Sequence, residues 1–98
     1  MSSTASSAGV QLQQRIISVT TSATKLPTTP LVGRKAIMVQ NLSTNPIYLG
    51  GATVTTTGAT RGVVLITQYD FIVINLASNV DLYGIASGAS DVAILEIV

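Results

Sequence analysis

The chain has 98 residues, which is enough for one small domain and leaves no room for a second. Only 9% of the residues are charged and the net charge is +1, so no strongly cationic face is expected and nucleic acid is not an expected partner. Cysteine and histidine are absent, which excludes disulfides, thiol chemistry and imidazole acid–base catalysis.

The shortage of charge has two interpretations. Threonine is frequent and suits exposed strand positions, so the chain could carry a neutral β surface in solution. Alternatively, copies of the chain or another protein cover much of the surface, since a net charge near zero gives little repulsion against association. We favour the second interpretation.

Residues 1–14 are polar and rich in serine, and they predict a flexible N-terminal arm ahead of a domain at 15–98. The arm lacks the positive segment and apolar core of a signal peptide, and no apolar run in the chain reaches the roughly 20 residues that span a bilayer. We therefore expect no membrane partner.

From residue 15 onward the sequence predicts only strands. β-branched residues dominate 15–26, and the prolines and glycine of "PTTPLVG" (27–33) end that strand. A second alternating run covers 34–41, and "STNP" (43–46) predicts the turn into a short strand at 47–51.

The second half of the chain continues this pattern after a loop or weak edge strand at 52–62. "VVLIT" (63–67) and "FIVINL" (71–76) are the most apolar runs, and we predict them to be the central, most buried strands. Strands at 80–87 and 92–97 complete the chain. About seven or eight short strands predict an all-β, single-domain antiparallel β-sandwich or small barrel of jelly-roll-like form.

Candidate catalytic chemistry is sparse. Asp81 and Asp91 could meet across neighbouring strands as a metal site, but we favour carboxylates that cap turns or face solvent. The run "GATVTTTGATRG" (51–62) lacks the Gly-Lys-Ser/Thr ending of a phosphate loop and predicts a flexible hairpin loop. We therefore predict no catalytic, cofactor-binding or metal-binding residue, and a protein that is not an enzyme.

Four aromatic residues could form a carbohydrate-binding platform: Tyr48, Tyr69, Phe71 and Tyr83. Phe71 lies in the most apolar run and is predicted to be part of the core, whereas Tyr48 and Tyr83 could equally pack at strand ends with wet hydroxyl groups. With no tryptophan in the chain, a glycan-binding module is the weaker interpretation.

Two polar features have both a functional and a structural interpretation. Arg34–Lys35 could contact acidic residues of a neighbouring subunit, but we favour solvated side chains that blunt an edge strand. The run "NLSTNP" (41–46) could be a binding site, but Asn and Ser in such runs bond their own backbone, which predicts a turn between scaffold strands.

Two blocks of the sequence carry a family resemblance. The runs "GRKAIMVQNLSTNPIYLGG" (33–51) and "VDLYGIASGASDVAILEI" (80–97) resemble a group of small tailed-phage virion proteins that share "GRK…QN…NPIY(L/I)GG" and "DLY.IAS….V.VLE". The resemblance covers residues 15–98 and contains no active-site signature.

The resemblance implies a structural component of the virion that is made in the host cytoplasm. It favours a head decoration (cement) protein, commonly a homotrimer seated on the capsid lattice, often with a terminal arm that contacts neighbours. The expected partners are further copies of the chain and a major capsid or other virion protein. A neck or tail component, such as a connector or part of a fibre, is the alternative, and a host-surface glycan-binding module is a third. We expect the arm (Ser2 to Gln14) and the loop Thr53–Arg61 to contact partners.

Overall fold

Eight β-strands and no helix make up the part of the chain that the computed structural model describes, residues 11–98. Within that range there is accordingly no helix of the length and apolarity that a membrane span requires. In chain order the strands are β1 (Leu12–Val19), β2 (Thr24–Lys25), β3 (Ala36–Asn41), β4 (Ile47–Gly50), β5 (Val63–Leu65), β6 (Phe71–Asn75), β7 (Tyr83–Ala86) and β8 (Ser90–Ile97).

The strands form two four-stranded sheets in which every strand pairing is antiparallel. The first sheet has the order β1-β8-β3-β6 and the second has the order β2-β7-β4-β5. The first strand pairs with the last, the second with the seventh, the third with the sixth and the fourth with the fifth, which is the pairing of a jelly roll. The predicted all-β sandwich and its jelly-roll form are therefore confirmed.

Alternation along the central strands places the core between the two sheets. In β3, Ile37 and Val39 are fully buried, whereas Ala36, Met38 and Gln40 are half-buried on the opposite side. A shift of one residue in the register would turn the buried side chains outward, so this pattern fixes the pairing. The buried apolar cluster comprises Val19, Leu26, Ile37, Val39, Ile47, Leu49, Leu65, Leu82, Ala86, Val92 and Ile94.

The two most apolar runs are edge strands, so their predicted central position is wrong. They form β5 and β6, which lie at the edges of the second and the first sheet. Phe71, predicted to be part of the core, is 61% exposed. The jelly-roll pairing, in which the first strand pairs with the last and each later pair lies inside the previous one in the chain, explains the difference. It places the third, fourth, seventh and eighth strands centrally whatever the apolar content of β5 and β6.

The first strand begins earlier than the predicted boundary at residue 15. Leu12, Gln13 and Gln14 belong to β1 and pair with residues 95–97 of β8. The last three residues of the predicted arm are therefore part of the sheet, and residues 1–10 lie outside the described residues.

A buried ion pair closes one end of the sandwich. Glu96 points from β8 into the interior, where Arg34 Nη1 lies 3.0 Å from its Oε2, and neither side chain has accessible surface. The backbone N–H of Leu31 donates to the same carboxylate oxygen at 2.9 Å. The guanidinium also donates to the carbonyl oxygens of Leu76 (3.1 Å), Ala77 (3.1 Å) and Val80 (2.7 Å).

This geometry makes both interpretations of Arg34 wrong, the solvated one and the intersubunit one. Its neighbour Lys35 is exposed, so only half of the basic pair lies at the surface. A signal for the pairing was present in the sequence: Glu96 continues the inward spacing of Val92 and Ile94, which places a carboxylate on the buried face of its strand. A buried carboxylate requires a partner, and an arginine is the residue type best suited to supply it.

Removal of one partner should reveal the dependence of the fold on this pair. Arg34→Met leaves the Glu96 carboxylate buried without its counter-ion and should lower the free energy of unfolding by about 3–5 kcal/mol. The double variant Arg34→Met/Glu96→Met should regain much of that loss because no charge remains buried. Chemical denaturation measures both values, and equal losses in the single and double variants would contradict the prediction.

A matched control exists at the surface of the other sheet. Lys25 Nζ lies 3.4 Å from Asp81 Oδ2, and both side chains are about one-third exposed (35% and 37%). Lys25→Met should therefore change the free energy of unfolding by less than about 1 kcal/mol.

Gly62 holds the end of the loop before β5 against β4. A Cβ at this position would lie 2.5 Å from the Leu49 carbonyl oxygen and 2.8 Å from its nitrogen, and these backbone atoms are fixed in a sheet. Gly62→Ala should thus lower the free energy of unfolding by about 1–3 kcal/mol in chemical denaturation. At Gly51 a Cβ meets no described atom within 4 Å, and Gly51→Ala should change it by about 0.5 kcal/mol or less.

Candidate functional site

The most distinctive surface of the described chain is the side of the first sheet that faces away from the second. The register of β1, β8, β3 and β6 aligns twelve side chains there in three rows, which we call the outer face. The rows are Leu12, Ile97, Ala36 and Asn75; Gln14, Leu95, Met38 and Val73; and Ile16, Ala93, Gln40 and Phe71.

The outer face is apolar and carries no formal charge. Nine of its twelve side chains are apolar, and the other three are the amides Gln14, Gln40 and Asn75. The side chains on its two edge strands are the most exposed, among them Leu12 at 57% and Ile16 at 63%. Asp91, paired with Ser18, is the first charged residue beyond the third row.

The size of the outer face is that of an interaction site. Four strands about 4.8 Å apart and three rows about 7 Å apart give roughly 400 Å² of flat sheet. The largest apolar patch on a typical monomer covers about 300–600 Å² and is often functional. The arrangement therefore favours a binding surface, not a site of covalent chemistry.

The apolar run at 71–76, predicted to be a central strand, contains a signal for the outer face. The run that forms β6 is apolar at every position except its last, Asn75, which is typical of a strand covered on both sides. In the structure the second sheet covers one side only, and the other side is the outer face. The surplus of apolar residues therefore pointed to a missing cover and not to a central place in the sandwich.

A strained tyrosine lies next to the outer face in the turn from β5 to β6. Tyr69 has a φ of +72°, a left-handed conformation that few residues other than glycine adopt, and the residue is 62% exposed. Its backbone N–H donates to the Asn41 carbonyl oxygen at 2.6 Å, which ties the turn to the end of β3. The conformation is thus held by backbone bonds, while the ring stays exposed two residues before Phe71.

The same turn contains Asp70, an aspartate whose pKa is lowered by its neighbours in the turn. The backbone N–H of Thr67 donates to Asp70 Oδ2 at 2.9 Å, and this bond, followed by one from the Thr67 hydroxyl, lowers the pKa of the Asp70 carboxyl group. Because a depressed pKa favours the charged form in the fold, Asp70 contributes stability above its unfolded pKa, and the contribution is lost as the pH falls through the folded pKa.

Two substitutions at Tyr69 should separate backbone strain from side-chain contacts. Asparagine tolerates the left-handed region and valine does not, so Tyr69→Val should be less stable than Tyr69→Asn by about 1–2 kcal/mol. Chemical denaturation of both variants measures the difference. Equal stabilities would show that the turn relaxes and that Tyr69 is not strained.

The two tyrosines proposed as a glycan platform lie on the second sheet, on the side that faces away from the first sheet. Tyr48 pairs in register with Val64 and Ile85, and Tyr83 pairs with Gly50 one step along the same strands. Both residues are half-buried. Tyr83 is the first residue of β7 and Tyr48 is the second residue of β4, so both lie near strand ends as predicted. They lie on the opposite side of the sandwich from Phe71.

The two aspartates considered as metal ligands lie in different surroundings. Asp81 forms the exposed ion pair with Lys25, next to the second sheet, whereas Asp91 is an exposed residue of β8 in the first sheet. Within residues 11–98, no group of three or more His, Cys, Asp or Glu side chains is placed to hold a metal ion.

The "NLSTNP" segment is a turn that satisfies its own backbone, as predicted. Asn41 Oδ1 accepts from the backbone N–H of Ser43 at 2.8 Å, and its Nδ2 donates to the carbonyl oxygen of Asn45 at 2.9 Å. Nδ2 also donates to the Leu65 carbonyl oxygen at 3.1 Å, which links the end of β3 to β5 in the other sheet. Asn41 is fully buried, so its role is structural.

The loop Thr53–Arg61, expected to contact a partner because of its flexibility, is held by internal bonds. The Thr55 N–H donates to the Thr60 carbonyl oxygen at 3.1 Å, and Val54 is only 6% exposed. With β4 and β5 the loop borders an open cavity of about 290 Å³ whose lining includes Arg61 as its charged residue. A contact between this loop and a partner remains a prediction, and a deletion that removes Val54 would also disturb the core.

Comparisons of the chain with protein-family models, with curated proteins and with solved structures found no match. The family resemblance therefore depends on its two sequence blocks alone. In the structure the first block forms β3 and β4 and the second forms β7 and β8, and the blocks pair with each other as the central strands of both sheets. Their Arg34 and Glu96 form the buried ion pair, so the blocks specify a fold more directly than a role.

Proposed function

We propose that this chain is a non-enzymatic structural protein of a tailed-phage virion, a capsid decoration protein that oligomerises, binds the major capsid protein and stabilises the head shell. The observation that carries the proposal is the charge-free outer face of about 400 Å² on a jelly-roll sandwich. A patch of this size is often functional, and an apolar surface without charge suits a protein that is assembled, because burial of apolar surface drives association.

The fold and the composition support this role together. Jelly rolls occur in viral capsid proteins, and also in lectins and cupins, so the fold alone does not choose among them. The chain has no histidine for a cupin-like metal site and no tryptophan for a sugar platform. The two sequence blocks that resemble phage virion proteins favour the first of these three classes.

Binding to heads is the direct test of the proposal. Purified full-length chain, mixed with heads from particles that lack it, should co-sediment with them in a saturable way and raise the temperature at which the heads release their contents. Because the chain has only nine charged residues, two of which are buried in the Arg34–Glu96 pair, binding should fall less than about tenfold when the salt concentration is raised from about 0.05 M to about 0.5 M.

Several results would contradict a decoration role and identify an alternative. No binding to heads, together with a large ring or tube in electron micrographs, would indicate a neck or tail component. A stable monomer whose saturable binding to host glycans disappears in Tyr48→Ala or Tyr83→Ala would indicate a host-surface module. Heads that bind the chain only at low salt would indicate adventitious electrostatic adsorption.

A further inference from the structure

We infer that the outer face packs against the outer face of further copies of this chain, so that the protein assembles through its β1-β8-β3-β6 sheets. The inference rests on the proposed structural role and names the partner of this face. It leaves the contact with the head shell to other parts of the molecule.

The absence of charge in the three rows restricts the occupant. A charged group pressed against this face would lose its water and find no counter-ion, so acidic and basic partners are disfavoured. A second copy brings a surface with the same apolar composition and the same amides. With a net charge of only +1 on each chain, repulsion between copies is small.

The N-terminal residues of the same chain are a poorer cover. Residues 1–10 precede β1, which carries one edge of the outer face, so they are close to it in sequence. Five of these ten residues are Ser or Thr, and the large apolar ones are Met1 and Val10 alone. Such a segment would leave most of the nine apolar side chains without an apolar partner.

The area of the face sets the strength of the contact. Two faces in contact bury roughly 800 Å² of flat sheet, about half of the roughly 1,600 Å² of a standard stable interface. The association should therefore depend on concentration in solution, and it should strengthen where a shell holds many copies side by side.

Two variants on opposite edges of the face and one matched control test the inference. Val73→Lys in β6 and Ile16→Lys in β1 place a charge on the outer face, at residues that are 54% and 63% exposed. Val63→Lys introduces the same charge at a 62% exposed valine on the edge of the other sheet. Sedimentation equilibrium of the full-length proteins from about 1 µM to about 500 µM gives the dissociation constants.

Wild type and Val63→Lys should self-associate equally, and both outer-face variants should raise the dissociation constant at least about tenfold. Circular dichroism and denaturation midpoints check that each variant is folded. The two outer-face variants lie on different strands, so a loss of self-association in both would not come from damage to one strand. Because no heads are present in this experiment, a wild type that stays monomeric would contradict the inference without contradicting the decoration role. Likewise, a chain that fails to bind heads would contradict the decoration role without contradicting self-association.

Four results would overturn the inference. The wild type could remain monomeric over the whole range, or Val63→Lys could lose as much association as the outer-face variants. Deletion of residues 1–10 could convert a monomer into an oligomer, which would assign the face to the N-terminus. Finally, Val73→Lys could lose head binding with no change in self-association, which would assign the face to the shell.

Discussion

The antiparallel register between β3 and β8 decides which side chains meet the second sheet and which meet the surroundings. Val39 lies opposite Ile94 on the buried side, so the core of one central strand continues directly into that of the next. Since strand side chains alternate with a period of two, the same register places Met38 beside Leu95 on the outer face. The core and the candidate interaction surface are therefore two results of one pairing.

Polar side chains lock both ends of β3 in that register. Arg34, just before the strand, bonds Glu96 and three backbone carbonyl groups, and Asn41, at its last position, bonds backbone groups of β5 and of the following turn. Each is buried and each makes several hydrogen bonds, so a slipped register would leave charged or amide groups without partners. Apolar packing stabilises the sandwich, and these two residues make its alignment specific.

The distribution of charge agrees with a protein that is assembled. The chain has five basic and four acidic residues, and one of each is buried in the Arg34–Glu96 pair, so the surface is poorer in charge than the composition indicates. Edge strands of isolated proteins are usually protected by lysine, proline or a bulge. β6 has the sequence Phe-Ile-Val-Ile-Asn, with none of these residues, and it borders the outer face.

The sequence by itself determined the class of the fold and its turns, because these depend on local patterns. Period-two alternation indicated strands throughout, the "NLSTNP" turn followed from side chains that bond their own backbone, and the class of antiparallel sandwich or small barrel followed from the number and spacing of the strands. The correct prediction of β3 and the turn after it depended only on residues within a few positions of one another.

Only the tertiary structure decided which strands are central, which face is exposed and what Arg34 binds. Its partner lies 62 positions away in the chain, and the exposure of Phe71 depends on the nesting of β6 at the edge of a sheet. An apolar run has the same composition whether the sandwich covers it on two sides or on one, so long-range pairing determines the outcome. The outer face exists because, within the described chain, the second sheet packs against only one side of the first sheet.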